Sequence, residues 1–308
     1  MNDMTMDPGI MMSIVEDLSR YSGGFAPLDR QPGCAQPLPS RQIMAAIAEE
    51  LRSVLFPGYF GRMESTGENL RFHIGAALDG VRRDIQEQVR RALCFACTDS
   101  DAVRGCAGRS MEITRRFLSS LPMIQKMLVE DVTAAYEGDP ACLSPDEAIL
   151  AYPGVYALAV HRIAHALFEL EVPLLPRMLS EIAHGATGID IHPGARIGRR
   201  FFTDHGTGVV IGATCIIGDR VRVYQGVTLG AKTFQLDDDG HPVKGVPRHP
   251  IIEDDVVIYS GATILGRITV GRGSIIGGNV WLTRSVPAGS RITQGSARHE
   301  IFQSGSGI

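Results

Sequence analysis

A chain of 308 residues, 44% hydrophobic and 21% charged, is long enough to bury a substantial core and to form more than one structural region. Thirty Lys and Arg against 34 Asp and Glu give a formal charge of -4, which excludes a global pull toward nucleic acid or an anionic membrane, so any anion site must be local. No apolar run approaches the roughly 20 residues of a membrane span. Met1 to Pro8 carries two acids and no base, and six cysteines are too few and too unevenly spaced for a secreted disulfide scaffold, so a reducing cytoplasm is the expected setting.

Residues 1–39 mix Met, Gly and polar residues without period and include Pro27, Pro32, Pro37 and Pro39, which predicts a flexible arm. From 40 to 186 the apolar spacing is helical: Ile43, Ile47, Leu51 and Leu55 recur at four-residue steps, as do Val89, Leu93 and Cys97. Helix breaks are expected at Pro57-Gly58, Pro122, Gly138-Asp139-Pro140 and Pro153-Gly154. After Gly185 glycine becomes frequent, β-branched residues dominate and the helical period disappears, which places a domain boundary near residue 187.

The second region, 187–289, repeats every six residues. Apolar residues lead hexads at Ile191, Ile197, Val209, Cys215, Val221 and Val227, with Thr203 the polar exception. A polar loop, 233–248, interrupts the phase, which resumes at Ile252, Ile258, Ile264, Val270, Ile276 and Leu282. One such unit cannot bury its apolar edge alone, so successive copies must stack into a solenoid with the leading residues inside. A β-sandwich would instead alternate with period two between turns about 8–12 residues apart. The tail, 290–308, is short, polar and expected to be flexible.

This repeat resembles the hexapeptide-repeat acyltransferases, which implies an α+β chain: an N-terminal α-helical domain followed by a C-terminal left-handed parallel β-helix, assembled as a homotrimer or a dimer of trimers. Within that superfamily the chain is similar to the serine O-acetyltransferases through Tyr136-EGDP, Tyr152-PGVYALAVHRIAH, Gly188-IDIHPGARIG, Asp204-HGTGVVIG, Gln225-GVTLGA, Arg248-HP and Gly261-ATILG. The resemblance implies transfer of an acetyl group from acetyl-CoA to the hydroxyl of L-serine, in the first step of cysteine synthesis.

That reaction needs a base to take the hydroxyl proton as the oxygen attacks the thioester. His205, in the polar-led hexad, matches the family's base, and Asp190 matches the carboxylate that holds its second nitrogen. Their separation of 15 residues differs from the 18 of three hexads, so periodicity alone does not join them. The resemblance assigns Asp139 and Asp204 to the amino group of serine, and Arg248 and His249 to its carboxylate, at an interface between subunits. Ser260, Gly261, Gly277 and Gly278 are candidates to line the acetyl-CoA groove, although glycines also recur simply to turn corners.

Several readings compete. Cys94 and Cys97 with Cys106 invite zinc, but no paired second motif supplies a fourth ligand, so packing between helices is expected. His161 and His165 share a helix face without a zincin glutamate, and His205 and His249 lack a convincing third imidazole for a metal-dependent anhydrase, so no metal is assigned. Acetylation of another small acceptor, such as a sugar or a homoserine-like amino acid, and a non-catalytic scaffold are the functional alternatives. The terminal Ile308 raises a partner: family members of this kind often end in an isoleucine that enters the active site of O-acetylserine sulfhydrylase.

Overall fold

The computed structural model describes residues 8–22, 37–60, 68–97 and 100–295. Seven helices come first: α1 (Pro8–Ser22), α2 (Arg41–Leu55), α3 (Glu68–Ala96), α4 (Ser100–Gly138), α5 (Pro145–Ala151), α6 (Pro153–Glu169) and α7 (Leu175–Thr187). The helical spacing reads through to the core. Ile47, Leu51 and Leu55 of α2 and Val89 and Leu93 of α3 are buried in one cluster with Phe117 and Leu128 of α4. Cys94 and Cys106 are buried where α3 meets α4, and Cys97 Sγ lies 3.5 Å from Cys106 Sγ.

Two expectations for this half fail. Residues 8–22, assigned to an aperiodic arm, form α1, with Ile10, Ile14 and Leu18 exposed at four-residue steps. Pro122 does not end a helix, because α4 runs through it for 39 residues. A proline inside a helix costs about 3 kcal/mol. Phe117, Leu121, Ile124 and Leu128 are all buried around it, and at about 1.5–3 kcal/mol each their burial outweighs that cost.

The remaining breaks fall as expected. Ser144 caps α5 by accepting from the Glu147 N–H, while Glu147 Oε2 accepts from the N–H of Leu143, the residue before the cap. Pro153 opens α6 at a position where no N–H is needed.

Fourteen short strands follow, all paired in parallel. The first face of the solenoid is β1 (Asp190–Ile191), β4 (Val210–Ile211), β7 (Thr228–Gly230), β10 (Thr263–Leu265) and β13 (Trp281–Leu282). The second is β2 (Arg196–Ile197), β5 (Ile216–Ile217), β8 (Ile251–Ile252) and β11 (Thr269–Val270). The third is β3 (Phe202–Asp204), β6 (Arg222–Tyr224), β9 (Val257–Ile258), β12 (Ile275–Ile276) and β14 (Arg291–Ile292). Ile191, Ile211, Leu229, Ile264 and Leu282 stack inward in register.

The register corrects the hexad phase. Later coils repeat at 18 residues, as Thr263 against Trp281, but the first pairs Asp190 with Val210, 20 residues on. Because Asp204 pairs with Tyr224 and the Gly226 N–H reaches the Thr207 carbonyl, the two extra residues are His205 and Gly206. Counting in sixes across them slips from the inward strand position to the corner position two residues earlier. Val209, Cys215, Val221 and Val227 are buried there too, so the apolar pattern hides the slip.

The helical region seats on the first coil. Ala157 and Leu158 of α6 close the end of the solenoid core. Arg162 donates to both oxygens of Asp131 at 2.6 and 2.9 Å and to the carbonyls of Ile197 and Gly198, and Asp131 also accepts from the Phe201 N–H. His161 is buried and stacks on His165, which donates from Nδ1 to the Pro193 carbonyl. Both histidines pack the junction. No described helix is long and apolar enough to cross a membrane.

Candidate active site

Glycines set the distance between the helices and β3. A Cβ on Gly138 would sit 2.7 Å from the Phe202 ring, and one on Gly154 would sit 2.6 Å from the Thr203 carbonyl oxygen. The motifs Gly138-Asp139-Pro140 and Tyr152-Pro153-Gly154 are therefore both docking points on the strand that ends in Asp204.

Asp139, at the end of α4, accepts from the Ala141 N–H at 2.8 Å and from the Tyr152 hydroxyl at 2.5 Å. The Tyr152 hydrogen bond, then the Ala141 N–H, hold its carboxyl below the usual carboxylate range, with a further contribution from the field of His205. His205 Nδ1 lies 3.7 Å from Asp204 Oδ1. The His205 backbone is left-handed (φ 56°), and its side chain is 71% exposed at the corner between third and first faces. The inserted pair thus lifts an imidazole off the solenoid beside two carboxylates. Tyr224 and Tyr259 stack below Asp204, with ring centroids 5.2 Å apart.

The acetyl-CoA candidates run down this same edge. Gly277 continues the column of Asp204, Tyr224 and Tyr259, since the Tyr259 N–H donates to the Ile276 carbonyl. Gly278 faces the Ser260 carbonyl, and a Cβ on Gly261 would strike Asn279 Oδ1 at 2.2 Å. At about 4.8 Å between strands, these residues lie roughly 10–15 Å below His205.

Arg248 and His249 occupy a different corner, where the excursion 231–250 leaves the first face and returns to the second. One hydroxyl organises them. Thr214 Oγ1 accepts from the N–H groups of Arg248 (2.9 Å) and His249 (3.1 Å) and meets His249 Nδ1 at 2.8 Å. His249 Nδ1 also accepts from the Thr214 N–H at 3.1 Å, so the ring proton belongs on Nε2. Burial, then the field of Arg248, pushes His249 down to about 4, so at neutral pH it is an uncharged donor and Arg248 is the cation. A cavity of about 160 Å³ is lined by Lys232, Phe234, Arg248 and Arg267. The buried Arg248 Nε has no hydrogen-bond partner among the described residues.

Asp190 sits on the first face, where its carboxylate, that of Glu181 and a His184 ring nitrogen lie within 4.8 Å of one another. The carboxylate recorded against His205 is that of Asp204. A single chain therefore gathers Asp139, Asp204 and His205 at one corner and Arg248 and His249 at another. Ile308 lies outside the described residues. Sequence reasoning missed Tyr152, Thr214 and Arg267; Tyr152 had a local signal, the proline that follows it.

Comparison with known proteins agrees with this architecture. The family described as bacterial transferase hexapeptide (six repeats) matches residues 249–284. A protein of Synechococcus elongatus named "Serine acetyltransferase, plasmid" is 52% identical over 300 residues, 96% of this chain and 94% of that one. A serine acetyltransferase of Bacillus licheniformis is 49% identical over 186 residues, 60% of this chain and 82% of its own. Among solved structures, serine acetyltransferase isoform 3 of Entamoeba histolytica, in complex with cysteine, superposes with a TM-score of 0.72 at 31% identity and 96% coverage of both chains. Soybean serine acetyltransferase complexed with serine gives 0.54 at 30% identity, covering 85% of this chain and 99% of that one.

The parallel solenoid, its six-residue repeat and these matches define a hexapeptide-repeat acyltransferase on a left-handed β-helix. More narrowly, the chain belongs to the serine acetyltransferase family.

Proposed function

We propose that this chain transfers the acetyl group of acetyl-CoA to the hydroxyl of L-serine, with His205 as the base. The imidazole takes the hydroxyl proton while the oxygen attacks the thioester carbonyl. The tetrahedral adduct then expels the CoA thiolate, which recovers the proton from the imidazolium. O-acetyl-L-serine and CoA leave. Asp139 and Asp204 face the serine ammonium, and Arg248 with the His249 Nε2–H faces its carboxylate. Asp190, on the first face beside the same corner, is the candidate to orient His205. Ser260, Gly261, Gly277 and Gly278 line the acetyl-CoA groove.

The observation that carries this reading is the split itself: acids and a base at one corner, a cation and a neutral donor at another. A zwitterion needs both kinds of group, so a complete site needs neighbouring copies, and a homotrimer supplies three. Exposed Val210 and Trp281 on the face between the corners, with Phe234 and Leu236 on the excursion, offer apolar surface for such packing.

L-cysteine, which shares the ammonium and carboxylate of serine, would occupy the same site as a feedback inhibitor. The tail ending in Ile308 is a candidate ligand for O-acetylserine sulfhydrylase, testable as loss of binding on deleting Ile308, and the cytoplasm is the proposed compartment. The central test is thiol release from acetyl-CoA with L-serine, homoserine or a sugar panel. Release specific to serine is expected; none above background would reject the proposal.

A further inference from the structure

The Asp139 carboxylate accepts a hydrogen bond from Tyr152, a residue thirteen positions further along the chain. The bracket between them is hydrogen-bonded at both ends of α5 and at the start of α6. Ser144 caps α5 by accepting from the Glu147 N–H, and Glu147 reaches back to the Leu143 N–H. The Tyr152 N–H ends α5 on the Ala148 carbonyl, while its own carbonyl accepts the Tyr156 N–H to start α6. Pro153 disfavours a helical conformation at Tyr152, which is extended at φ -80°, ψ 120°. Gly154, against the Thr203 carbonyl, anchors the bracket to the strand that carries Asp204.

From this anchor we propose that Tyr152 is a positioning residue for the amino-acid substrate, its phenol fixing the Asp139 carboxylate so that the remaining lone pairs meet the substrate ammonium. The inference rests on the reading of Asp139 as an amino-group receptor. A carboxylate offers about four acceptor positions. The Ala141 N–H takes one on Oδ1 and the Tyr152 hydroxyl takes one on Oδ2, which leaves one on each oxygen. Burial, then the hydrogen bond to Asp139, raises the phenol pKa, so Tyr152 stays protonated and stays the donor. Without the phenol, Asp139 keeps only the Ala141 N–H and its carboxyl group is free to rotate.

Steady-state kinetics of Tyr152→Phe, Asp139→Asn and the double variant in the full-length enzyme test this. Tyr152→Phe should raise the serine KM about 10- to 150-fold, the value of one hydrogen bond to a charged group. The turnover number and acetyl-CoA KM should stay near wild type. Inhibition by hydroxypropionate, which is serine without its amino group, should be unaltered, and Tyr152→Phe should add nothing in the Asp139→Asn background. An unchanged serine KM in Tyr152→Phe, equal loss of hydroxypropionate binding, or an undiminished effect in the double variant would overturn the proposal. If Asp139→Asn leaves the serine KM unchanged, the reading of Asp139 fails and Tyr152 falls with it. If Asp139→Asn raises it and Tyr152→Phe does not, only the role of Tyr152 is lost.

Discussion

Where the third face turns into the first, the repeat is broken by two residues, His205 and Gly206; where the first turns into the second, it is broken by the excursion 231–250. The short break leaves the backbone tied to its neighbours, with the Gly208 N–H on the Gly188 carbonyl and the Gly226 N–H on the Thr207 carbonyl. Only a side chain is released, which suits a base that must sit in one place. The long break forms its own antiparallel bridge, Leu236 against Pro242, and its functional end is pinned through Thr214. A solenoid buries what repeats, so groups that must meet a substrate accumulate where it stops repeating.

The hardest blow to the short break is His205→Ala. Turnover should fall about 100-fold to 10,000-fold while acetyl-CoA affinity stays close to wild type, as measured by thiol release and calorimetry. Near-normal turnover would remove His205 from the role of base. The division between corners can be tested in the same assay by co-assembling His205→Ala and Arg248→Ala chains. If each site takes His205 from one copy and Arg248 from the next, random mixing restores about a quarter of the sites in a heterologous ring. Mixtures no more active than the parents would place both groups in one chain.

The long break depends on close packing. A Cβ on Gly212 would lie 2.0 Å from His249 Cδ2, so Gly212→Ala must displace the ring. The serine KM should rise by about tenfold or more, the effect of losing a hydrogen bond to a charged group, with acetyl-CoA binding retained. Thr214→Ala should act in the same direction but less strongly, because the Arg267 guanidinium still bonds the Thr214 and His249 carbonyls. Thr214→Ser keeps the hydroxyl and should restore the wild-type KM. If the serine variant is no better than alanine, the hydroxyl is not what holds the excursion.

The two breaks also differ in how far they can be read from sequence. The excursion is visible because polar residues interrupt an apolar repeat. The insertion is invisible to a count in sixes, since Val209 and Ile211 are both buried and either can serve as the leading residue. The solenoid and the helical core are legible because each is a periodic burial pattern. The passage of α4 through Pro122 is not, because the packing that outweighs the proline comes from other helices. The surroundings of Asp190 are hidden for a related reason: Glu181 and His184 reach it from α7 across the helix–strand junction. Thr214 carries no motif at all, since its role is set by residues 34 and 35 positions away.

The smallest expected effect concerns charge at the second corner. Burial pushes both His192 and His249 down to about 4, and His161, at the helical junction, is also held well below its ordinary value by burial. In the unfolded chain these imidazoles protonate near pH 6.5. Between about 6.5 and 4 the unfolded state therefore binds more protons than the folded state, and stability is lost as the pH falls through that window. Above pH 7 all three are neutral in both states and contribute no slope. His249 and His161 are both buried, so solvent screening removes neither share. Thermal melts from pH 7.5 to 4.5 should show Tm falling below about pH 6.5, with a shallower fall in His249→Gln and His192→Gln. A flat Tm in the wild-type protein would mean that these rings protonate inside the fold, and His249 would then meet the substrate carboxylate as a second cation rather than as the neutral donor that Thr214 orients.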